Sequence, residues 1–296
     1  MSGAVAPVSD VVVVPGAPLL LPEYQGRAAA APGLLESCVE AVRAAVEHAS
    51  HVVVVHATDR EPRSTRPAIG LRVADHLLAA THLGFTVDHV SVAWDASVEE
   101  CLELGRVTVG AVREPTPAGS RSESVFAPPG DAKTPPFAAG DDASSVAAQR
   151  DAKGSVFASA GGAKTPLGGT PHRGRPASTS ERAGTTLLVV ADGSARRTEK
   201  APGHLDPRAA GVDDAIVDAL RSAHMGGLDR LLDLDPALCA DLLVSGRAPL
   251  QVLASAVGAG PRTDAEGART AYRLERLDVS DPFGVLYVVA HLMAAV

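Results

Sequence analysis

Four consecutive valines, Val52 to Val55, and a matching run from Val11 to Val14 constrain the fold of this chain most. β-Branched side chains lose rotamer freedom in a helix and fit a pleated, extended backbone. A run without polar alternation has no face to offer water, so it belongs to a strand covered on both sides, as in a parallel α/β core. The first such strand, Asp10 to Val14, is closed by Pro15-Gly16. The second spans His51 to Val55, and a third runs from Thr185 through Leu187-Leu188-Val189-Val190 and stops at Asp192-Gly193.

The segments between these strands have helical periodicity. From Leu34 to Ala49, apolar Leu35, Val39, Val42 and Val46 recur at three- and four-residue spacing and define one face. Leu71 to Leu83 reads as a second helix stopped by Gly84, and Phe85 to Trp94 as a strand. Asp95 is placed to cap a helix over Ala96 to Leu104. Beyond the third apolar run, Val212 to Ala223 is helical, with Asp213 and Asp214 in its first turn where the helix dipole favours acids. Leu228 to Leu232 is short and apolar. Asp235-Pro236 starts a helix over Ala237 to Val244 that Gly246 ends, and another runs from Pro249 to Val257. Two strands, Thr270 to Asp278 and Gly284 to His291, are joined by a turn at Ser280-Asp281-Pro282. This order predicts a single α/β domain with a mostly parallel sheet and a C-terminal hairpin. Its two parts are residues 8–106 and 184–296.

Residues 107–183 differ in kind. Pro, Gly, Ser, Ala and Thr dominate, and without apolar periodicity such a segment cannot offset its ordering entropy, so a long disordered insert is expected. The insert repeats itself: Ser124-Val125-Phe126-Ala127 and Ala132-Lys133-Thr134-Pro135 return as Ser155-Val156-Phe157-Ala158 and Ala163-Lys164-Thr165-Pro166. Two copies without helix or strand pattern do not build a solenoid. Duplication of a linker and a docking or modification site at Lys-Thr-Pro are the two readings.

A formal charge of −8 and an aromatic content of 3% argue against a nucleic-acid partner. No run approaches the roughly 20 apolar residues of a membrane span, and the N-terminus lacks a basic leader, so a cytoplasmic protein without a membrane partner is expected. Cys38, Cys101 and Cys239 are odd in number and lack ligand spacing, as expected of buried thiols in a reducing compartment.

Ligands of open α/β sheets sit beyond the carboxyl ends of strands, which directs attention to Asp192 through Pro207. There the apolar run gives way to Asp192, Ser194, Arg196, Arg197, Glu199, Lys200, His204 and Asp206. Amides of Gly193-Ser194-Ala195 could meet an anion with Arg196, Arg197 and Lys200 as counter-charges; alternatively the loop is solvated, with Glu199 paired to an arginine. Gly16, after the first strand, permits close approach of a ligand or simply a turn. His56, after the second, stands with Thr58, Asp59 and Arg60, as an acid/base or ligand histidine or as a structural one. The chain contains no GxSxG, Walker A or GxGxxG motif.

Three segments together resemble a known family. Pro15 to Glu23, Asp192 to Gly203, and Asp281-Pro282-Phe283-Gly284-Val285-Leu286-Tyr287 are similar to the first-strand, later strand-end and closing-strand motifs of the class III extradiol ring-cleavage dioxygenase (LigB-like) superfamily, and specifically to an actinobacterial branch of it. The resemblance implies a three-layer LigB-like domain. In active members it also implies Fe(II) held by two histidines and a carboxylate, with catecholate and dioxygen as co-substrates. At the position of the first iron ligand this chain has Gly16, the second falls near His56 or Thr58, and the acid/base histidine falls on Ala195. The expectation is a protein without the family's iron and acid/base residues, binding a small anionic or aromatic ligand or a partner through Gly16, His56, Asp59, Asp192, Ser194, Arg196, Glu199 and Lys200, with no cofactor. The alternative is an active extradiol-type dioxygenase or metal-dependent oxidoreductase rebuilt on Asp192, Ser194, Glu199 and His204, with His56, Glu199 and His204 as metal ligands and Fe(II) as cofactor. Homo-oligomerisation is compatible with either.

Overall fold

A computed structural model describes residues 8–26, 31–61, 65–111, 184–258 and 270–295. Six strands form one mixed, mostly parallel sheet in the order β3-β2-β4-β1-β6-β5. They are β1 (Val8–Val14), β2 (Ala49–Thr58), β3 (Thr86–Ala93), β4 (Gly184–Val190), β5 (Tyr272–Ser280) and β6 (Tyr287–Ala294). β3, β2, β4 and β1 run parallel, while β6 lies antiparallel to β1 and forms the expected hairpin with β5. The valine runs occupy the centre: Val12 and Val54 both stand opposite Leu188.

Six α-helices accompany them among the described residues: α1 (Pro32–Val46), α2 (Ile69–Ala79), α3 (Val98–Ala111), α4 (Ala209–Arg221), α5 (Pro236–Asp241) and α6 (Arg247–Ala256). Side chains alternate across a strand, so each valine run feeds two cores. Val11, Val13, Val53, Val55, Leu187 and Val189 face a core shared with α4 and α6, while Val12, Val14, Val52, Val54, Leu188 and Val190 face one shared with α1 and α2. Burial of Leu187 and Leu188 contributes roughly 1.5–3 kcal/mol each. Arg247 is also buried; it donates to the carbonyls of Trp94 and Ala96 and ties α6 to the end of β3.

Several boundaries differ from expectation for identifiable reasons. α1 buries Cys38, Ala41, Val42, Ala45 and Val46, and Leu35 and Val39 are only partly covered. α2 ends at Ala79 because the Thr81 hydroxyl bonds back to the Leu78 carbonyl and His82 turns left-handed, at φ 56°. Asp95 does not cap α3. Ser97 does, in a reciprocal box with Glu100: the Ser97 hydroxyl accepts from the Glu100 N–H at 3.2 Å and the Glu100 carboxylate from the Ser97 N–H at 2.7 Å. α3 continues to Ala111, four residues past the expected start of the insert, and residues 112–183, with both repeat copies, lie outside the described residues. Asp235 caps α5 by accepting from the Leu238 N–H at 2.6 Å, as expected. Gly246, however, precedes α6 rather than ending α5, which stops where Leu243 adopts φ 56°.

Candidate functional site

β1 and β4 are neighbours whose connections leave toward opposite faces. α1, which follows β1, packs on the Val12–Val14 face, and α4, which follows β4, on the Val11–Val13 face. The region beyond their carboxyl ends is therefore a topological switch point, the place where ligands of open α/β sheets bind. Gly16 and Asp192 flank it.

The chain leaves β4 through a fixed path. The Ala191 N–H donates to the Val14 carbonyl at 2.9 Å, and Asp192 bridges Tyr287 in antiparallel fashion. The Asp192 carboxylate accepts from the Gly16 N–H at 3.0 Å and from the Ser245 hydroxyl at 3.4 Å. Burial pushes its pKa up to about 6, against the opposing pull of these two donors. Burial and the neighbouring Asp192 charge push the Tyr287 phenol up to about 12. A carboxyl group whose pKa burial raises to about 6 can hold or release a proton where β4 ends.

Gly16 is closely packed. A Cβ built there would lie 3.2 Å from both Asp192 Oδ2 and Val190 Cγ1. The position has no side-chain ligand atom, and a side chain added there would require the Asp192 carboxylate and Val190 to give by a few tenths of an ångström.

His56 is buried at the end of β2 beside Val190. Its Nδ1 lies 3.2 Å from the Ala57 carbonyl, which can only accept, so Nδ1 carries the proton. Nε2 then accepts from the Ser91 hydroxyl at 3.1 Å. Burial lowers its pKa, so the ring is neutral at pH 7. With both ring nitrogens engaged, His56 is a structural histidine in this arrangement. Asp59 lines an open cleft of about 540 Å³ between the ends of β2 and β3 and helix α3, whose walls include Thr58, Arg60, Ser91 and Leu104 but neither Gly16 nor Asp192.

The backbone amides expected to cradle an anion are already used. Gly193 donates to the Leu286 carbonyl, Ala195 to that of Leu242, and Ser194 to a carboxylate oxygen of Asp213. Asp213, read from the sequence as a helix-start acid, is instead buried in α4 and holds the loop. It accepts from the Ser194 N–H at 2.8 Å, the Ser194 hydroxyl at 2.6 Å and the Arg197 guanidinium at 2.8 Å, while Arg197 also reaches Asp281 at 2.8 Å. Ser194 is fully buried and aimed at this acid, so it is no nucleophile facing the switch point. Glu199, Lys200 and His204 are exposed on the loop, and His204 Nδ1 reaches back to the Glu199 carbonyl at 3.3 Å.

The residues do not fit the iron centre that the resemblance implies. Gly16 offers no ligand atom and Ala195 no acid/base group, His56 is engaged at both nitrogens, and among the described residues no group of three or more His, Cys, Asp or Glu is placed to hold a metal ion. Nor is any described helix long and apolar enough to cross a membrane. The sequence does not announce the roles of Asp213, Ser245 and Tyr287: Asp213 reads there as a helix-start acid, Tyr287 as the end of the closing motif, and Ser245 carries no signal. No protein-family model matches the chain, and no curated protein matches it.

Proposed function

We propose that this chain is a LigB-like, three-layer protein of the extradiol dioxygenase type without the family's iron and acid/base residues, and that it works in the cytoplasm by binding a small anionic ligand at the switch-point region between β1 and β4. The observation that carries this reading is Gly16. Its N–H holds the Asp192 carboxylate, the glycine offers no side chain where the family's first ligand would project, and a Cβ there would stand 3.2 Å from that carboxylate and from Val190, so a side chain would need both to shift. Supporting it, Ala195 has only a methyl group to offer. The three cysteines are buried free thiols, in keeping with a reducing compartment.

The test is anaerobic loading with Fe(II), desalting, metal analysis, and oxygen uptake with catechol. The expected result is well below one iron per chain and no uptake above buffer. Stoichiometric iron that is lost on His56→Ala, together with oxygen consumption, overturns the proposal and reinstates a rebuilt dioxygenase.

A further inference from the structure

Helix α3 presents two faces, and the core uses one of them. Gly105, with buried Cys101 and Thr108 at helical spacing on either side, faces α6. A Cβ on Gly105 would fall 2.4 Å from Ser255 Cβ and 2.7 Å from the Val252 carbonyl oxygen, so glycine is what lets the two helices meet. The Ser255 hydroxyl then fastens them by donating to the Leu102 carbonyl at 2.6 Å. The adjoining stripe of α3 is Glu100, Glu103, Leu104 and Val107, a run at three- and four-residue spacing that lines the cleft of about 540 Å³ beyond the ends of β2 and β3. Val107 is 53% exposed there, and Ala93 and Ala96 add further apolar lining. A volume of this size falls within the range of small-molecule sites, and the ends of parallel strands are where such sites form.

Charge in the cleft is unevenly matched. Its lining holds three carboxylates, Asp59, Glu100 and Glu103, and one guanidinium, Arg60. Arg60 is fully engaged: its two terminal nitrogens each meet a Glu100 oxygen at 3.1 Å, and its Nε meets Asp95 at 3.2 Å. Glu100 is engaged as well, since it also accepts from the Ser97 N–H. Asp59 has no hydrogen-bond or ion-pair partner among the described residues. Glu103 meets only Arg106, at 3.4 Å between two largely exposed side chains, a contact that contributes little. Two carboxylates are therefore left over beside an apolar wall that the capping box, the Arg60 fork and the Ser255 bond already hold in place, so little ordering is needed on binding.

We propose that this cleft binds a small organic cation, an amine whose apolar body lies on Leu104, Val107 and Ala93 and whose ammonium is met by Asp59 and Glu103. An anion finds no free positive group there, and a second copy of this chain, at a formal charge of −8, is a poor match for a negative cleft. The site is separate from the region between β1 and β4 and stands independently of the reading above.

Benzylamine serves as the probe, benzyl alcohol as its uncharged counterpart, methylamine as the cation without a ring, and benzoate as the anion. Each is titrated against the full chain by calorimetry and by the fluorescence of Trp94, the single tryptophan, which is 44% exposed next to Ala93. Benzylamine should bind at least roughly threefold more tightly than the other three, and added salt should weaken it. Asp59→Asn combined with Glu103→Gln should weaken benzylamine by roughly three- to tenfold and bring it level with benzyl alcohol. Val107→Ser should weaken benzylamine and benzyl alcohol alike. Glu99→Gln, which removes a carboxylate of the same helix outside the cleft, should change nothing. All four substituted side chains are exposed, and melting without ligand shows that each variant folds. Equal binding of benzyl alcohol or of methylamine, a preference for benzoate, or no response to any probe overturns the assignment. So does benzylamine affinity that is unchanged in the double variant, or that falls as much in Glu99→Gln.

Discussion

Replacing Asp192 with asparagine keeps the shape of the side chain and the Gly16 N–H contact but removes the ionisation. In the fold this carboxyl titrates at about 6, against 3.8 for an ordinary aspartate. At ~1.4 kcal/mol for each pH unit, that difference sets a ceiling of about 3 kcal/mol on the cost of ionising Asp192 in place. Asp192 is only partly shielded by accessible area, and the water that reaches it reduces the working figure to ~1–2 kcal/mol. The sign follows from which state holds the proton more tightly. Below about pH 4 both states keep it; between about 4 and 6 the unfolded chain releases it first, so the wild type loses stability as pH rises; above about 6 the loss is complete. Urea denaturation of wild type and Asp192→Asn from pH 4 to 8 isolates this contribution, because every other titrating group is common to both. The variant should gain on the wild type across the lower half of that range and hold a constant advantage above it. A difference that is flat with pH, or one in which the wild type gains as pH rises, refutes the claim that burial dominates the surroundings of Asp192.

Asp213 and Asp214 are adjacent in sequence and opposite in role. Asp213→Ala strands the Ser194 hydroxyl and N–H and half of the Arg197 pairing, and should cost about 3 kcal/mol, while Asp214→Ala, on the exposed face, should change stability by under about 0.5 kcal/mol; chemical denaturation compares them. Ser97→Ala should cost about 1 kcal/mol through the lost cap of α3, whereas Asp95→Ala, which removes only an exposed contact to Arg60, should leave the midpoint nearly unmoved.

The sheet was legible because Val11–Val14, Val52–Val55 and Thr185–Val190 have no polar alternation, and such runs have nowhere to go but the middle. Asp235-Pro236 was legible because cap and first-turn proline act locally. The Ser97–Glu100 box is equally local, but Asp95 two residues before it carries the same capping signal and masks it. Contacts between distant segments were out of reach. Nothing near Asp192 in sequence announces that its partner is the amide of Gly16, 176 residues away. Nor does any local signal say which arginine of Arg196-Arg197 finds an acid, since that depends on Asp213 and Asp281 arriving from α4 and the β5–β6 turn. Gly246 misled because a glycine at a helix junction suits the end of one helix as well as the start of the next.

The strand order has a consequence for how the protein is made. β1 and β2 are consecutive strands, yet they do not pair, because β4 lies between them. On the ribosome, β2 and β3 can pair early, but β1 has no neighbour until residues 184–190 emerge after the whole of the intervening stretch. Until then Val12 and Val14 have lost no water to a partner strand, and the edge of β2 stays open. β4 then fits between β2 and β1, and β6 and β5 complete the sheet on the far side of β1. By the same logic, two pieces cut between α3 and β4 carry complementary halves of one sheet, each incomplete at the place where the other fits.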